Sequence, residues 1–344
     1  MKKIIPQRII ISRTDSIGDV ILTLPMTGII KKEFPNCKIL FLANNYTYDI
    51  VKCSAFVDEI INYSEIEKLS EKQQILSLQS FNADTIIHVF PKQKIAKLAA
   101  KAKIKNRIAT SHRYYHLFNC NYLINFSRKK SNLHESQLNL KLLKPIIGDK
   151  SYSLKELNDF TGLKRIAELD DNHKKLLSND KINLILHPKS KGSGREWGLD
   201  NFAELINILP EEKFNIFVSG SENEGKELEL NLLNKINKKA HNICGQMSLL
   251  QFVTFISYAD ALVASGTGPL HIAATFGIET IGIFPPIKPI HPQRWQPIGN
   301  KTKIFVKEKN CNDCQKSKQC KCINDIRPQE IAQYLNTLKI EKTV

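Results

Sequence analysis

No stretch of this 344-residue chain approaches the roughly 18 unbroken apolar residues of a membrane span, so no transmembrane helix is expected. The amino terminus begins with positive charge, as a signal peptide does, but Pro6, Arg8 and Arg13 interrupt the apolar run that follows. It reads instead as a first β-strand, and a cytoplasmic location is expected. Acidic residues are scarce: 34 Asp and Glu stand against 50 Lys and Arg, a formal charge of +16. Such an excess favours phosphorylated substrates, acidic lipid headgroups or nucleic acid. The plainer alternative is a lysine-rich composition written over every solvated face. The basic residues are spread along the chain, with no RNP-type aromatic motif and no zinc-finger pairing of histidines, which argues against nucleic acid.

What is present describes a globular protein. The hydrophobic fraction is 42% and the charged fraction 24%, and the length allows two domains with full cores. Of eight cysteines, Cys37, Cys53, Cys120 and Cys244 are scattered and expected to be reduced. Cys311, Cys314, Cys320 and Cys322 form Cys-x2-Cys-x5-Cys-x-Cys. Four thiolates so placed could hold a structural zinc ion. The closing Cys-x-Cys is tighter than usual zinc spacing, so reduced or oxidisable thiols are the alternative.

Short β-branched runs alternate with helical stretches. Strands are expected near residues 8–12, 38–42, 59–62, 84–89 and 107–109, with helices near 20–34, 66–78, 93–102 and 134–145. A polar linker near 148–180 leads to strands near 182–186, 214–219, 261–264 and 280–284. Helices are expected near 201–209, 225–234 and 249–257, after Pro269, and near 328–338. This alternation predicts an α/β protein of two Rossmann-like domains with parallel sheets, residues 1–165 and 175–325, and a carboxyl-terminal helix within 326–344. Ligands are expected at the carboxyl ends of the strands, facing a cleft between the domains.

Three loops carry chemistry. Residues 12–19 read Ser-Arg-Thr-Asp-Ser-Ile-Gly-Asp and place Asp19 at a helix start, either as its N-cap or as a general base. Residues 187–197 read His-Pro-Lys-Ser-Lys-Gly-Ser-Gly-Arg-Glu-Trp. Lys189, Ser190, Lys191 and Arg195 there would clamp a diphosphate, because a structural loop seldom crowds like charges; a mobile solvated loop is the alternative. Trp197 reads as a packing anchor. Residues 265–271, Ser-Gly-Thr-Gly-Pro-Leu-His, form a strand–turn–helix junction whose amides suit a phosphate, with Pro269 in the first turn and His271 pointing inward. One half would thus hold a diphosphate while the other offers a carboxylate, as in a transferase acting on a nucleotide-activated substrate.

Taken in order with Gly245-Gln246-Met247-Ser248-Leu249, these segments resemble glycosyltransferase family 9, the lipopolysaccharide heptosyltransferases and their relatives. The resemblance implies a GT-B fold and an inverting, metal-independent transfer with ADP-heptose as usual donor and no catalytic cofactor. The sequence contains no Asp-x-Asp metal motif. The resemblance further implies Asp19 as catalytic base, Arg195 on the donor diphosphate, and Thr267, Gly268 and His271 in the phosphate turn. Met247 matches the segment against the nucleoside, and Glu224 is aligned with the ribose hydroxyls, with Glu222 its competitor. The acceptor implied is a lipid-linked phosphorylated glycan at the inner membrane face, where the protein would dock peripherally. Arg13, Lys92, Lys94, Arg107 and Arg113 are candidates for acceptor contact. Best-known heptosyltransferases carry an acidic residue just before the Thr/Ser-Gly of the turn. Here that residue is Gly266. Another nucleotide sugar used for capsule or glycoprotein, or a non-catalytic nucleotide-sugar binding protein, are the alternatives.

Overall fold

The computed structural model describes residues 3–164, 166–192, 194–307 and 321–339. The chain divides into two compact units, Met1–Lys164 and Arg165–Val344. The first holds six strands: β1 (Arg8–Ser12), β2 (Lys38–Ala43), β3 (Glu59–Asn62), β4 (Thr85–His88), β5 (Asn106–Thr110) and β6 (Tyr122–Ile124). All pair in parallel, in the order β3-β2-β1-β4-β5-β6. The second holds β7 (Ile182–His187), β8 (Phe214–Val218), β9 (His241–Asn242), β10 (Ala261–Ser265), β11 (Glu279–Ile283) and β12 (Thr302–Phe305). These are also parallel, in the order β12-β11-β10-β7-β8-β9. Both units have the Rossmann strand order, so the α/β reading as a GT-B pair of Rossmann-like units holds.

Parallel sheets are covered by helices on both faces, which is why their central strands read as apolar runs. Ile9, Ile10 and Ile11 of β1 are fully buried, as are Leu262, Val263 and Ala264 of β10. In the first unit Ile10, Leu40, Ile86 and Leu98 share one core cluster. In the second, Leu184, Phe202, Val263 and Ile281 do so. Trp197 belongs to that cluster. Its ring meets Phe202 edge-on at 5.0 Å, and its Nε1 donates to the Ile326 carbonyl at 2.8 Å. The helix Pro328–Leu335 packs on helix Leu199–Ile208, with Ile331 and Leu335 fully buried. The carboxyl-terminal helix therefore completes the second unit's core.

Two departures bear on the site. The single helix expected at 20–34 is two, Ile17–Ile21 and Pro25–Glu33. Pro25 has no N–H to extend the first and instead opens the second. The helix Tyr114–Asn119 between β5 and β6 was not expected. Of the clustered cysteines, Cys311, Cys314 and Cys320 lie outside the described residues. Cys322 is buried in the second unit's apolar core. No group of three or more His, Cys, Asp or Glu among the described residues is placed to hold a metal ion.

Candidate active site

In each unit the strand order reverses between two central strands, β1 and β4 in the first, β7 and β10 in the second. Loops leaving the carboxyl ends of such strands are where Rossmann folds hold ligands. The expected segments fall on these ends: 13–19 follows β1, 188–197 follows β7, and 266–271 follows β10.

At the end of β1 the helix Ile17–Ile21 is capped by Ser16, which has extended backbone angles, and Asp19 sits in its first turn. Asp19 is therefore not the N-cap. Its carboxylate accepts from the Ser16 hydroxyl and from the Arg13 guanidinium. Arg13 is 3% exposed, too enclosed to meet an acceptor freely. Its Nε donates to Asp15 at 2.7 Å and its Nη1 lies 3.2 Å from Glu135. Burial opposes its charge, yet Asp15, Asp19 and Glu135 together hold its pKa above the ordinary arginine value. Burial also pushes the Asp15 carboxyl up to about 6, with Arg13 opposing the rise and Asp19 adding to it. Glu135, fixed also by Arg128, comes from a helix more than a hundred residues away. Asp19 itself keeps part of its side chain open to solvent, at 18%. One always-charged fork thus fixes a carboxylate in orientation at a strand end.

The second unit brings its two glycine-bearing loops into contact. A Cβ on Gly194 would lie 3.1 Å from the Gly266 carbonyl. Helix Gly268–Thr275 has Thr267 as N-cap and Pro269 in its first turn. An N-cap threonine ordinarily spends its hydroxyl on the first-turn amides. Here Thr267 makes no such bond. Thr267 Oγ1 and Ser265 Oγ are buried with no hydrogen-bond partner among the described residues. A buried hydroxyl without a partner is costly, and open first-turn amides carry the positive end of the helix dipole. Two buried hydroxyls without a partner and the first turn of this helix thus lie close together along the chain, an arrangement that suits an anion. His271 is buried on the same helix, and Arg195 is part-buried in the adjacent loop.

The basic loop is more tied than its charge implied. Lys189 reaches Glu196 and Glu227, each at 3.0 Å, which offsets the repulsion expected among its cations. Ser190 pins the loop, its amide and hydroxyl both donating to Glu196 Oε1. Lys191 is exposed, and its charge acts on Glu224 and on His187. Burial pulls the His187 pKa down to about 4 despite Glu224 nearby. Glu224 Oε2 accepts the amide and hydroxyl of Ser221 as a helix cap. Gly245 packs on that turn: its amide donates to Gly220 at 3.1 Å, and a Cβ on it would lie 2.7 Å from Glu222 Cα. Met247, two residues beyond Gly245, is part-buried.

Among the other expected cations, Lys92 and Lys94 face Glu67, and Arg107 donates to the carbonyls of Asn119 and Ile104. Sequence reasoning missed Asp15, Ser16 and Glu135. The Arg13-x-Asp15 spacing was the available signal for the first; Glu135 had none.

Two parallel sheets in Rossmann order, each with its loops at a switch point, define an α/β protein of the Rossmann type. The model of Glycosyltransferase family 9 (heptosyltransferase) matches residues 74–323. The chain belongs to that family and is a glycosyltransferase. It is 25% identical over 332 residues to lipooligosaccharide heptosyltransferase 2 of Campylobacter jejuni, covering 94% of this chain and 96% of that one. It is 26% identical over 303 residues to a protein of Haemophilus influenzae named only as a glycosyltransferase, covering 86% and 87%. Among solved structures, ADP-heptose lipopolysaccharide heptosyltransferase II of E. coli has the same fold, with a TM-score of 0.72, 17% identity, and coverage of 96% and 98%.

Proposed function

We propose that this glycosyltransferase moves a heptose from ADP-heptose onto a lipopolysaccharide core or a related lipid-linked surface glycan, with inversion and without a catalytic metal. The acceptor hydroxyl gives its proton to Asp19 and attacks the anomeric carbon from the face opposite the nucleotide. The C–O bond to the diphosphate breaks, and the leaving ADP takes the bonding electrons. The negative charge that grows there meets the Thr267 hydroxyl, the first-turn amides from Gly268 onward, Arg195 and Lys191. Glu224 and Met247 face the nucleoside. Arg13 serves by holding Asp19 in place. In this reading the protein meets its acceptor from the cytoplasmic side as a peripheral enzyme; no described helix is long and apolar enough to cross a membrane.

The observation that supports this reading is the close approach of the Gly194 loop to the turn before Thr267, loops more than seventy residues apart. Its test is a panel of ADP, UDP, GDP and CMP sugars in thermal shift, followed by transfer assays on Asp19→Asn. ADP compounds should stabilise most, and Asp19→Asn should retain that stabilisation while transfer falls about 10²- to 10⁴-fold. Full transfer by Asp19→Asn would overturn the base assignment; no nucleotide-sugar binding would overturn the reading. A protein that only binds nucleotide sugars would show the shift and no transfer in the native chain.

One observation favours a donor other than heptose. Where the best-known heptosyltransferases carry an acid, a Cβ on Gly266 would stand 2.7 Å from the Phe284 ring. The ring fills the side-chain space, so hydroxyl contacts from that position are lost and a less polar sugar face is accommodated.

A further inference from the structure

The net positive charge is far more local than the overall composition implies. Residues 85–134 contain eleven Lys and Arg and no Asp or Glu. Within this acid-free stretch lies the helix Tyr114–Asn119. Tyr114 is 68% exposed, Leu117 55% and Phe118 83%. Their spacing of three and four residues puts all three on one helix face. The opposite side is used normally. His116 is fully buried with Nδ1 2.8 Å from the Thr110 carbonyl, and the Tyr115 hydroxyl donates to the Pro91 carbonyl at 2.8 Å. Three large apolar side chains turned to water on a helix already anchored from behind mark an interaction surface.

The charges around it say what kind. Lys92, Lys94 and Lys101 are matched by Glu67 and Glu71 on neighbouring elements. Lys97, Lys103, Lys105, Lys129 and Lys130 are exposed, and none makes an ion pair among the described residues. Lys103 and Lys105 precede β5, on which the apolar helix follows, and Lys129 and Lys130 follow β6, to which it leads. The apolar face is therefore flanked along the chain by unmatched cations on both sides. A second copy of this chain would bring the same cations against themselves, because a two-fold interface is self-complementary. A partner offering negative charge above an apolar interior satisfies both features at once.

We propose that this face docks on an anionic phospholipid surface, with Tyr114, Leu117 and Phe118 entering the headgroup–acyl boundary and the flanking lysines meeting lipid phosphates. The inference extends the reading of a lipid-linked acceptor by naming the surface through which the first unit approaches the membrane.

The test is sedimentation of the full chain with phosphatidylcholine vesicles, with and without phosphatidylglycerol, none containing a glycan acceptor. The wild type should partition onto the anionic vesicles about tenfold more than onto neutral ones, and rising salt should weaken it. The triple variant Tyr114→Ser, Leu117→Ser, Phe118→Ser should lose about tenfold or more of that partition. A Lys→Gln variant at Lys103, Lys105, Lys129 and Lys130 should lose the preference for the anionic vesicles. Both variants alter exposed side chains, so their melting temperatures and ADP-induced shifts should match the wild type. Three outcomes overturn the proposal: triple-variant binding equal to wild type, no wild-type preference for anionic vesicles, or a wild-type dimer that the triple variant dissociates without changing vesicle binding. Vesicles without acceptor read the surface alone. Loss of vesicle binding leaves the transfer reading standing, and absence of transfer leaves the docking surface standing.

Discussion

Replacing Arg13 separates two roles that the same residue could play. Its guanidinium lies among Asp15, Asp19 and Glu135 with only 4% of the side chain exposed. Arg13→Met removes one cation from three carboxylates. Glu135 retains Arg128, so the groups left without a countercharge are Asp15 and Asp19. Breaking a buried ion pair from one side costs about 3–5 kcal/mol, because the charge left behind stays desolvated. Asp15, already pushed up to about 6 by burial, then loses the opposing pull of Arg13 and binds a proton nearer neutrality. Urea unfolding at pH 7 should show the loss of about 3–5 kcal/mol, and the loss should shrink as pH falls from above neutrality toward 6 and level off below it, where Asp15 is protonated in both proteins. Arg13→Lys keeps a charge but cannot fork across two carboxylates, so about 1–3 kcal/mol should go.

Transfer kinetics then decide between positioning and acceptor binding. Loss of the fork frees Asp19 to rotate, and a misplacement of about 1 Å costs on the order of 10² in rate. The expected signature is a fall in kcat with KM for the acceptor little changed, and an unchanged ADP-induced thermal shift, since the residues proposed to hold the diphosphate belong to the other unit. A raised acceptor KM with kcat preserved would restore the direct-contact role. An Arg13→Met protein as stable and as fast as the wild type would refute the reasoning altogether.

Other consequences follow from the close contacts and the buried histidines. Gly194→Ala places a methyl 3.1 Å from the Gly266 carbonyl, so the two loops must part by a few tenths of an ångström; ADP affinity, read by calorimetry, should fall while urea stability stays within about 1 kcal/mol. Gly266→Asp drives a side chain into the Phe284 ring and should cost about 1–3 kcal/mol of stability rather than restore heptose contacts. Burial holds His88 down to about 3, with His116 and Arg107 adding to the shift, and His187 down to about 4. Their neutral forms stabilise the fold above the unfolded value of 6.5, and that contribution is lost as pH falls through the folded values. Between pH 7 and 5 the two should cost about 4 kcal/mol, offset by about 1 kcal/mol from protonation of Asp15, whose raised value works in the opposite direction. The net loss should be about 3 kcal/mol by urea titration, and His88→Leu should remove roughly half of the histidine part. Stability independent of pH over that range would contradict the burial of these rings.

The elements legible in the sequence are those whose burial is complete. β1, β7 and β10 announce themselves as apolar runs because both faces of a parallel sheet are covered. The edge strands β6, β9 and β12 are only two to four residues long and mostly part-exposed, and their patterns fade into loops. The strand–turn–helix junction was legible because strand, glycines and helix start are contiguous at residues 265–271. Asp19 was visible but its partners were not. Glu135 joins Arg13 only because the helix Glu135–Leu140 folds back beside β1, a contact that local spacing cannot encode.

The two units share one strand order and differ in what their switch-point loops present, so the proposed division of labour rests on the loops. After β1 the loop encloses one cation in three carboxylates and leaves a negative group at its margin. After β7 and β10 the loops set Lys189 against two glutamates and bring Gly194 against the Thr267 turn, leaving hydroxyls and helix amides without anionic company. Two sheets of the same strand order thus acquire different local charge from the short loops at each strand end. Exchanging Asp19 for a cation, or Thr267 for a carboxylate, should abolish the respective function while each unit keeps its sheet, because neither side chain contributes to the apolar cores.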